Sequence, residues 1–570
     1  MARITLIRPA YSATIYGDVY NNDAETRREV RPPLGLMAIA GYLKHFGHEV
    51  QVIDGEPQLL TEAETTERVL ATDPDFVGIT STTPEYPFAH GIVRRIKEAR
   101  PDIVTVFGGA HITNLPEHTI ADLDPWVDWG VLYEGEKPMA AIIDGRPHMY
   151  RWKGSQHDKL LMAEERLSGD ELDSFVPDRD VVDMSNYRFV DTSLGLVRND
   201  ALEMARGCPF GCAFCTSRRT TIRSRSIDSL VKEIVDSATT HGTQLFMFFD
   251  DTFTIHRGRA EELFTEILRQ KRLGRIPQEV HLSGFTRADT LDPDLVDLMR
   301  RAGCDKLSIG VETGNEETLK AMMKGTVLDD YRRAYAMLED AGISKRGSFI
   351  IGHPYDTEET IQTSIDFAIE LDLDEIGVNI MTPYPGQQTF RDAMEARGIW
   401  FAHPIHYAEL RESSFSEEQL RESWSDYLSL NWHDYWRDHL RWGRAVVETE
   451  TLSAEQLVYW HGRFLQEVYG SANMERRRRL HIEQGNDDDY WHRPWRVHSQ
   501  RLRERLEQEA RDGVPAFPPP RHHLLTYDPP PLRDYQKNEL MMPAAKRRRL
   551  AESESNGATP VSVQARSGGG

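Results

Sequence analysis

Short apolar runs alternate with longer stretches of helical spacing from the start of the chain. Residues 3–8, 49–53, 75–80, 103–107 and 127–132 predict strands. Residues 34–46 and 89–100 predict helices, the first ending at Gly47, a C-terminal stop signal. Strands alternating with helices imply a doubly wound parallel sheet. Ligands of such sheets bind at the carboxyl ends of the strands. The turns placed there are Ser81-Thr82-Thr83, Gly108-Gly109-Ala110-His111 and Glu134-Gly135-Glu136.

The pattern weakens over 141–197, where mixed charge and little periodicity predict a connector. It returns over 198–400. Strands are predicted at 201–205, 244–249, 279–284, 306–310, 347–351 and 375–380, with helices at 227–241, 258–273 and 295–302 between them. Six such units in a row predict a curved parallel sheet, a partial or full (β/α) barrel, whose chemistry sits at the strands' C-terminal ends. Residues 401–512 read as a small helical domain, with seven of the eleven tryptophans between Trp424 and Trp495. That domain either buries its aromatics or caps the barrel mouth. Residues 513–570 read as a Pro-rich, disordered tail, with Pro518-Pro-Pro520, Pro529-Pro-Pro531 and a solvated basic run at Lys546-Arg-Arg-Arg549.

Composition narrows the functional classes. A chain of 570 residues is too long for one core. Its 39% hydrophobic and 28% charged residues suit a globular protein, and no run approaches a membrane span. The first residues enter a strand pattern directly, so a cytoplasmic protein is expected. A net charge of −23 argues against broad nucleic-acid binding but leaves room for a local basic pocket.

Only four cysteines are present, and three fall within eight residues: Cys208-x3-Cys212-x2-Cys215. Such packing favours metal or redox chemistry over disulfides. The run follows a predicted strand, so it lies on a loop at the strand's carboxyl end, and Gly207 and Gly211 free the backbone to wrap a compact object. Three thiolates on one short loop can hold three corners of a cubane iron–sulfur cluster and leave the fourth iron open to a small molecule. The alternative is a zinc knuckle completed by Cys304 or a His, although zinc ligands more often come as two separated pairs. Cys304, at a helix end, reads as a small buried hydrophobe.

This spacing, after a strand and opening a barrel, resembles the radical S-adenosylmethionine superfamily, as does Phe214 just before the last cysteine. The resemblance implies a 4Fe–4S cluster on Cys208, Cys212 and Cys215. Its open iron would chelate S-adenosylmethionine, which one electron cleaves to a 5′-deoxyadenosyl radical. It also implies S-adenosylmethionine contacts from Phe214, Asp250 in Phe249-Asp-Asp251, Arg287 in Thr286-Arg-Ala-Asp289, Glu312 ending the fourth strand, and Gly352 in the fifth-strand motif. Thr382-Pro-Tyr-Pro-Gly386 resembles the motif after the sixth strand.

Residues 31–54 resemble the cobalamin-binding domain that precedes the barrel in one large branch of that superfamily. This implies a domain over residues 1–140 that holds cobalamin through Ser81, Thr82, Gly108, Gly109 and Glu134. The Asp-x-His-x-x-Gly motif, whose His ligates cobalt, is missing, as it is in many relatives of this branch. With no cysteine before Cys208 and only Cys304 after Cys215, a single cluster is expected. The resemblance implies a cobalamin-dependent radical methyltransferase acting on a specialised-metabolite (antibiotic) intermediate. Its partners would be a small-molecule substrate and an electron donor such as flavodoxin or ferredoxin. Oxidative cyclisation or rearrangement without methyl transfer and a zinc-folded, non-catalytic binding module are the alternatives.

Overall fold

Six apolar runs pair side by side as the first sheet. They are β1 (Arg3–Arg8), β2 (Glu49–Asp54), β3 (Phe76–Thr80), β4 (Val104–Gly108), β5 (Trp129–Leu132) and β6 (Leu160–Met162). The computed structural model describes residues 1–10, 30–155, 157–191, 195–384, 386–394, 397–401, 445–483, 511 and 520. The strand order is β2-β1-β3-β4-β5-β6, all parallel. The chain therefore reverses its direction of winding between β1 and β3, where doubly wound sheets bind their ligands.

Alternation along each strand builds two cores. On β1, Ile7 joins Val77, Ile79 and Phe107 against Ile92, Val93 and Ile96 of the helix Tyr86–Ala99. Its neighbour Leu6 points the other way, to Val50, Val106 and Val131 and to Leu36, Ala40 and Leu43 of the helix Leu34–His45.

His111, in the short helix Ala110–Asn114, stacks on Tyr86 with ring centres 4.1 Å apart and lies 3.2 Å from Thr83 Oγ1. Burial holds this imidazole down at about 3, against an ordinary 6.5. It stays neutral while folded and takes up its proton on unfolding, so its contribution is full above about 6.5 and is lost as pH falls toward about 3. The wild-type melting temperature is expected to fall more steeply over that window than that of His111→Gln, as calorimetry would show.

The second sheet contains β7 (Arg188–Asp191), β8 (Gly195–Leu202), β11 (Leu245–Phe248), β12 (His281–Thr286), β13 (Cys304–Glu312), β14 (Ser344–Ile351) and β15 (Glu375–Ile380). A separate antiparallel pair, β9 (Ala205–Arg206) and β10 (Arg223–Ser224), stands between β8 and β11 in the chain. The order is β15-β14-β13-β12-β11-β8-β7, six parallel strands with β7 antiparallel at one edge. The sheet is a curled half barrel, and its helices Ile227–Thr240, Arg257–Arg272, Pro293–Ala302, Leu328–Ala341 and Glu358–Glu370 supply the outer layer of the largest core.

Three features differ from the sequence expectation. The connector over 141–197 supplies β6 to the first sheet and β7 to the second. The strand expected at 201–205 ends at Leu202, because the N–H groups of Met204 and Ala205 turn to Asp250 instead of a neighbouring strand. The described part of the C-terminal region is not all helical. β16 (Ile399–Phe401) pairs antiparallel with β17 (Val447–Thr449), and the helix Ala454–Tyr469 buries Leu457, Trp460 and Phe464 in the barrel core. The expected tail 513–570, apart from Pro520, and the remaining tryptophans of the region, Trp424, Trp432, Trp436, Trp442, Trp491 and Trp495, lie outside the described residues.

Candidate cluster and cofactor site

The loop between β9 and β10 carries the three cysteines, and backbone bonds close it at both ends. Met204 and Ala205 donate to the two Asp250 oxygens at 2.9 and 2.7 Å. Arg206 and Ala205 then pair with Arg223 and Ser224. Inside the loop, Cys208 N–H donates to Thr220 Oγ1 at 2.6 Å and Thr220 N–H returns a bond to Cys208 O at 2.7 Å. Gly207 sits at φ +109°, and a Cβ there would lie 2.3 Å from Thr221 O, so the turn requires glycine. Ala213 N–H donates to Met322 O, while Gln388 and Thr389 donate to Ala213 O at 2.9 and 3.3 Å. The cysteine loop is thereby tied to the segments that follow β13 and β15.

Cys208 and Cys212 are buried and Cys215 half-buried. Burial pushes all three thiols up, Cys215 to about 12. Lys324 and Arg287 act against that rise at Cys212. Such thiols stay protonated until a metal displaces the proton, which is how thiolate ligands are made. Among the described residues no group of three His, Cys, Asp or Glu side chains converges as the ligands of one ion would. Three thiols on one short loop can each take a different corner of a cubane. The donor set fits a cluster. Cys304, only 1% exposed at the start of β13, is a packed core residue as expected.

Of the other expected contacts, Phe214, Asp250, Arg287 and Glu312 lie on or against this loop, and Gly352 follows the end of β14. Arg287 lies over the Phe210 ring at 3.7 Å, forks onto Asp289 at 3.0 and 2.9 Å, and donates to Lys324 O at 2.9 Å. Glu312, at φ +71°, pairs with Lys324 at 2.5 Å, both buried. Lys324 went unread in the sequence, since nothing in the spacing marks a loop lysine twelve residues after Glu312 as its partner. Gly352, at φ +89°, donates its N–H to Asp356 at 2.8 Å. Phe214 packs half-buried on the barrel core. Asp250 has both oxygens engaged by backbone, and burial pushes it up to about 7 while those N–H groups hold it down.

In the first sheet, Ser81 N–H donates to Gly108 O and Ser81 O accepts from His111 N–H, both at 3.1 Å. Thr82 N–H donates to Glu85 at 2.6 Å. A Cβ on Gly108 would meet only Val131 O, at 3.8 Å, so the strand end there leaves its backbone open to an approaching group. Gly109, at φ +97°, differs: a Cβ would lie 2.5 Å from Ser81 O and 2.6 Å from Ser81 N. Gly109→Ala is expected to destabilise the fold by about 1–3 kcal/mol and to lower the cobalamin retained through gel filtration.

Glu134 faces the second sheet. It pairs with Arg223 and, at 3.5 Å, with Arg206, while Glu136 takes Arg206 at 2.9 Å. These contacts join the turn after β5 to the base of the cysteine loop, so the C-terminal ends of the two sheets meet. Asn114 adds a second junction, since a Cβ on Gly386 would lie 2.4 Å from its Oδ1.

Two families match this arrangement. The Radical SAM superfamily matches residues 202–368, spanning the cysteine loop and most of the half barrel, and the B12 binding domain matches residues 24–143. The chain belongs to the radical SAM superfamily and carries a B12-binding domain. Its cofactors are a 4Fe–4S cluster, S-adenosylmethionine and cobalamin, and the thiol set and the open strand end at Gly108 fit the first and the last.

This radical SAM chain is 29% identical over 373 residues to an uncharacterized methyltransferase of Pyrococcus horikoshii, spanning 64% of this chain and 78% of that one. It is 30% identical over 376 residues to the anaerobic magnesium-protoporphyrin IX monomethyl ester cyclase of Rubrivivax gelatinosus, covering 63% of this chain and 66% of the cyclase. Its fold resembles that of TsrM, a radical S-adenosylmethionine methyltransferase from Kitasatospora setae solved with cobalamin and a 4Fe–4S cluster bound. The TM-score is 0.60 at 16% identity, over 90% of this chain and all of that one.

Proposed function

We propose that this radical SAM enzyme is a cobalamin-dependent methyltransferase that methylates an unactivated carbon of a specialised-metabolite (antibiotic) intermediate. The cluster with S-adenosylmethionine supplies a radical able to remove hydrogen from carbon, and cobalamin supplies the methyl group. The observation that carries this reading is the junction of the two sheets' ligand-binding ends through Glu134, Glu136, Arg206 and Arg223. In this reading the two cofactors face each other across that junction. Arg287 and Glu312 hold charge beside the cysteine loop, suited to the carboxylate and amino groups of S-adenosylmethionine. A methyltransferase relative supports the same reading.

The substrate in this reading is a small molecule, and flavodoxin or ferredoxin reduces the cluster. Among the described residues no helix is long and apolar enough to cross a membrane, which accords with a cytoplasmic enzyme.

Anaerobically purified, reconstituted protein tests this without a known substrate. Labelled S-adenosylmethionine is expected to transfer its methyl label to reduced cobalamin and, under reduction, to yield 5′-deoxyadenosine. Protein that binds no cobalamin, or turns over fully without it, would overturn the proposal. The cyclase relative favours a second reading, oxidative cyclisation. Product mass separates the two, because methylation adds a methyl group and cyclisation does not.

A further inference from the structure

We infer that Arg218 and Arg391 form an anion site beside the cysteine loop, which anchors a carboxylate or phosphate group of the substrate. Arg218 follows Cys215 by three residues and is only 4% exposed, yet its Nε and Nη1 have no hydrogen-bond partner. An arginine is always charged and carries five donors, and leaving such donors buried and unmet is costly.

Its remaining contact is weak and shared. Nη2 lies 3.5 Å from Gln388 Oε1, and the same oxygen accepts from Arg391 Nη2 at 2.7 Å. Two guanidinium groups thus converge on one neutral amide oxygen. Arg219 adds a third positive charge: its guanidinium lies over Gly211, with Nε 3.1 Å from where a Cβ would stand. Asp392 is the nearby acid, and it accepts from Gln388 Nε2 at 2.9 Å. Three arginines against one aspartate and the Cys215 thiol is an unusual local balance in a chain of net charge −23.

The place explains the purpose. Gln388 and Arg391 lie on the helix Gln388–Met394 that follows β15, and Gln388 N–H is bonded to Ala213 between two cluster cysteines. An anion here sits at the barrel mouth, at the rim of the cluster loop. Burial of Arg218 favours a small-molecule group that reaches inward over the surface of a protein partner. A planar carboxylate or a phosphate takes paired N–H donors from a guanidinium, which an amide oxygen cannot match. The substrate assignment rests on the enzymatic reading above, but the site does not depend on methyl transfer.

The test uses full-length protein carrying its cluster, with inorganic phosphate as probe against potassium chloride at equal ionic strength. Wild type is expected to bind phosphate saturably and to melt at higher temperature with it. Arg218→Met and Arg391→Met are each expected to weaken phosphate binding about tenfold or more. Gln388→Glu sets a carboxylate between the two guanidinium groups and is expected to remove the phosphate response while the protein stays folded, a result that stands even if Arg218→Met fails to fold. Wild type that responds to phosphate no more than to chloride would overturn the site, as would a response that survives Arg218→Met. Loss of S-adenosylmethionine binding alongside phosphate binding in Arg218→Met would assign the anion to the cofactor's carboxylate and overturn the substrate assignment. None of these readings measures methyl transfer, so failure here and failure of the methyltransferase reading are separable.

Discussion

Replacing Cys208, Cys212 or Cys215 singly by alanine is expected to cost as much as replacing all three. Three thiolates that hold three corners of one cluster act as a unit, and losses from such units do not add. Each variant should lose its iron and sulfide, its broad visible absorption and 5′-deoxyadenosine formation, the last by on the order of a thousandfold or more. The loop itself should survive, because its shape rests on Gly207, Thr220 and the β9–β10 pair and not on the thiols. Cys304→Ala is the control. That side chain is packed inside the barrel core, so the variant should keep its iron and lose about 1 kcal/mol of stability.

The largest stability effect is expected from Arg179→Met. Arg179 is the point where the segment between the two sheets grips the barrel. Its guanidinium bonds Asp200 on β8, reaches Glu233 on the helix Ile227–Thr240 at 2.7 Å, and donates to Ala201 O at 3.1 Å. Asp200 is wholly buried and Glu233 nearly so, with Arg225 on its other oxygen at 2.6 Å. Removing Arg179 leaves two buried carboxylates under-compensated, which costs about 3–5 kcal/mol. Denaturant unfolding should register this as a lower midpoint with little change in slope. Breaking the exposed Lys232–Asp236 pair on the same helix should leave the midpoint nearly unchanged.

Much of this arrangement was legible in the chain. The cysteine spacing, the strand before it and Gly109 each announce a local necessity: ligands on one loop, a turn at a strand end, a backbone with no room for a side chain. What escaped depends on partners far away in sequence. β6 is three residues long and exists because β5 offers an edge. β7 needs β8 to fold back on. Glu134 and Asp250 were read as cofactor contacts from their places at strand ends, and the structure engages the first with Arg223 and Arg206 and the second with two backbone N–H groups. Arg218 looks like one more charged residue of an exposed run until Gln388, from beyond the last barrel strand, is seen to lie between it and Arg391.

The helix Ala454–Tyr469 lies along β15, the free edge of the half barrel. Tyr469 supplies a hydroxyl that both donates to Ile376 O at 3.2 Å and accepts from Ile376 N–H at 3.4 Å, and His461 Nε2 meets Val378 O at 3.1 Å. Two side chains thus stand in for a neighbouring strand. Shortening the chain to the barrel, an obvious choice for expression, would bare a row of backbone donors and acceptors on a strand that alternates with Ile376, Val378 and Ile380. Such an edge recruits other chains, so the trimmed protein should fail first by aggregation, before any question of catalysis arises.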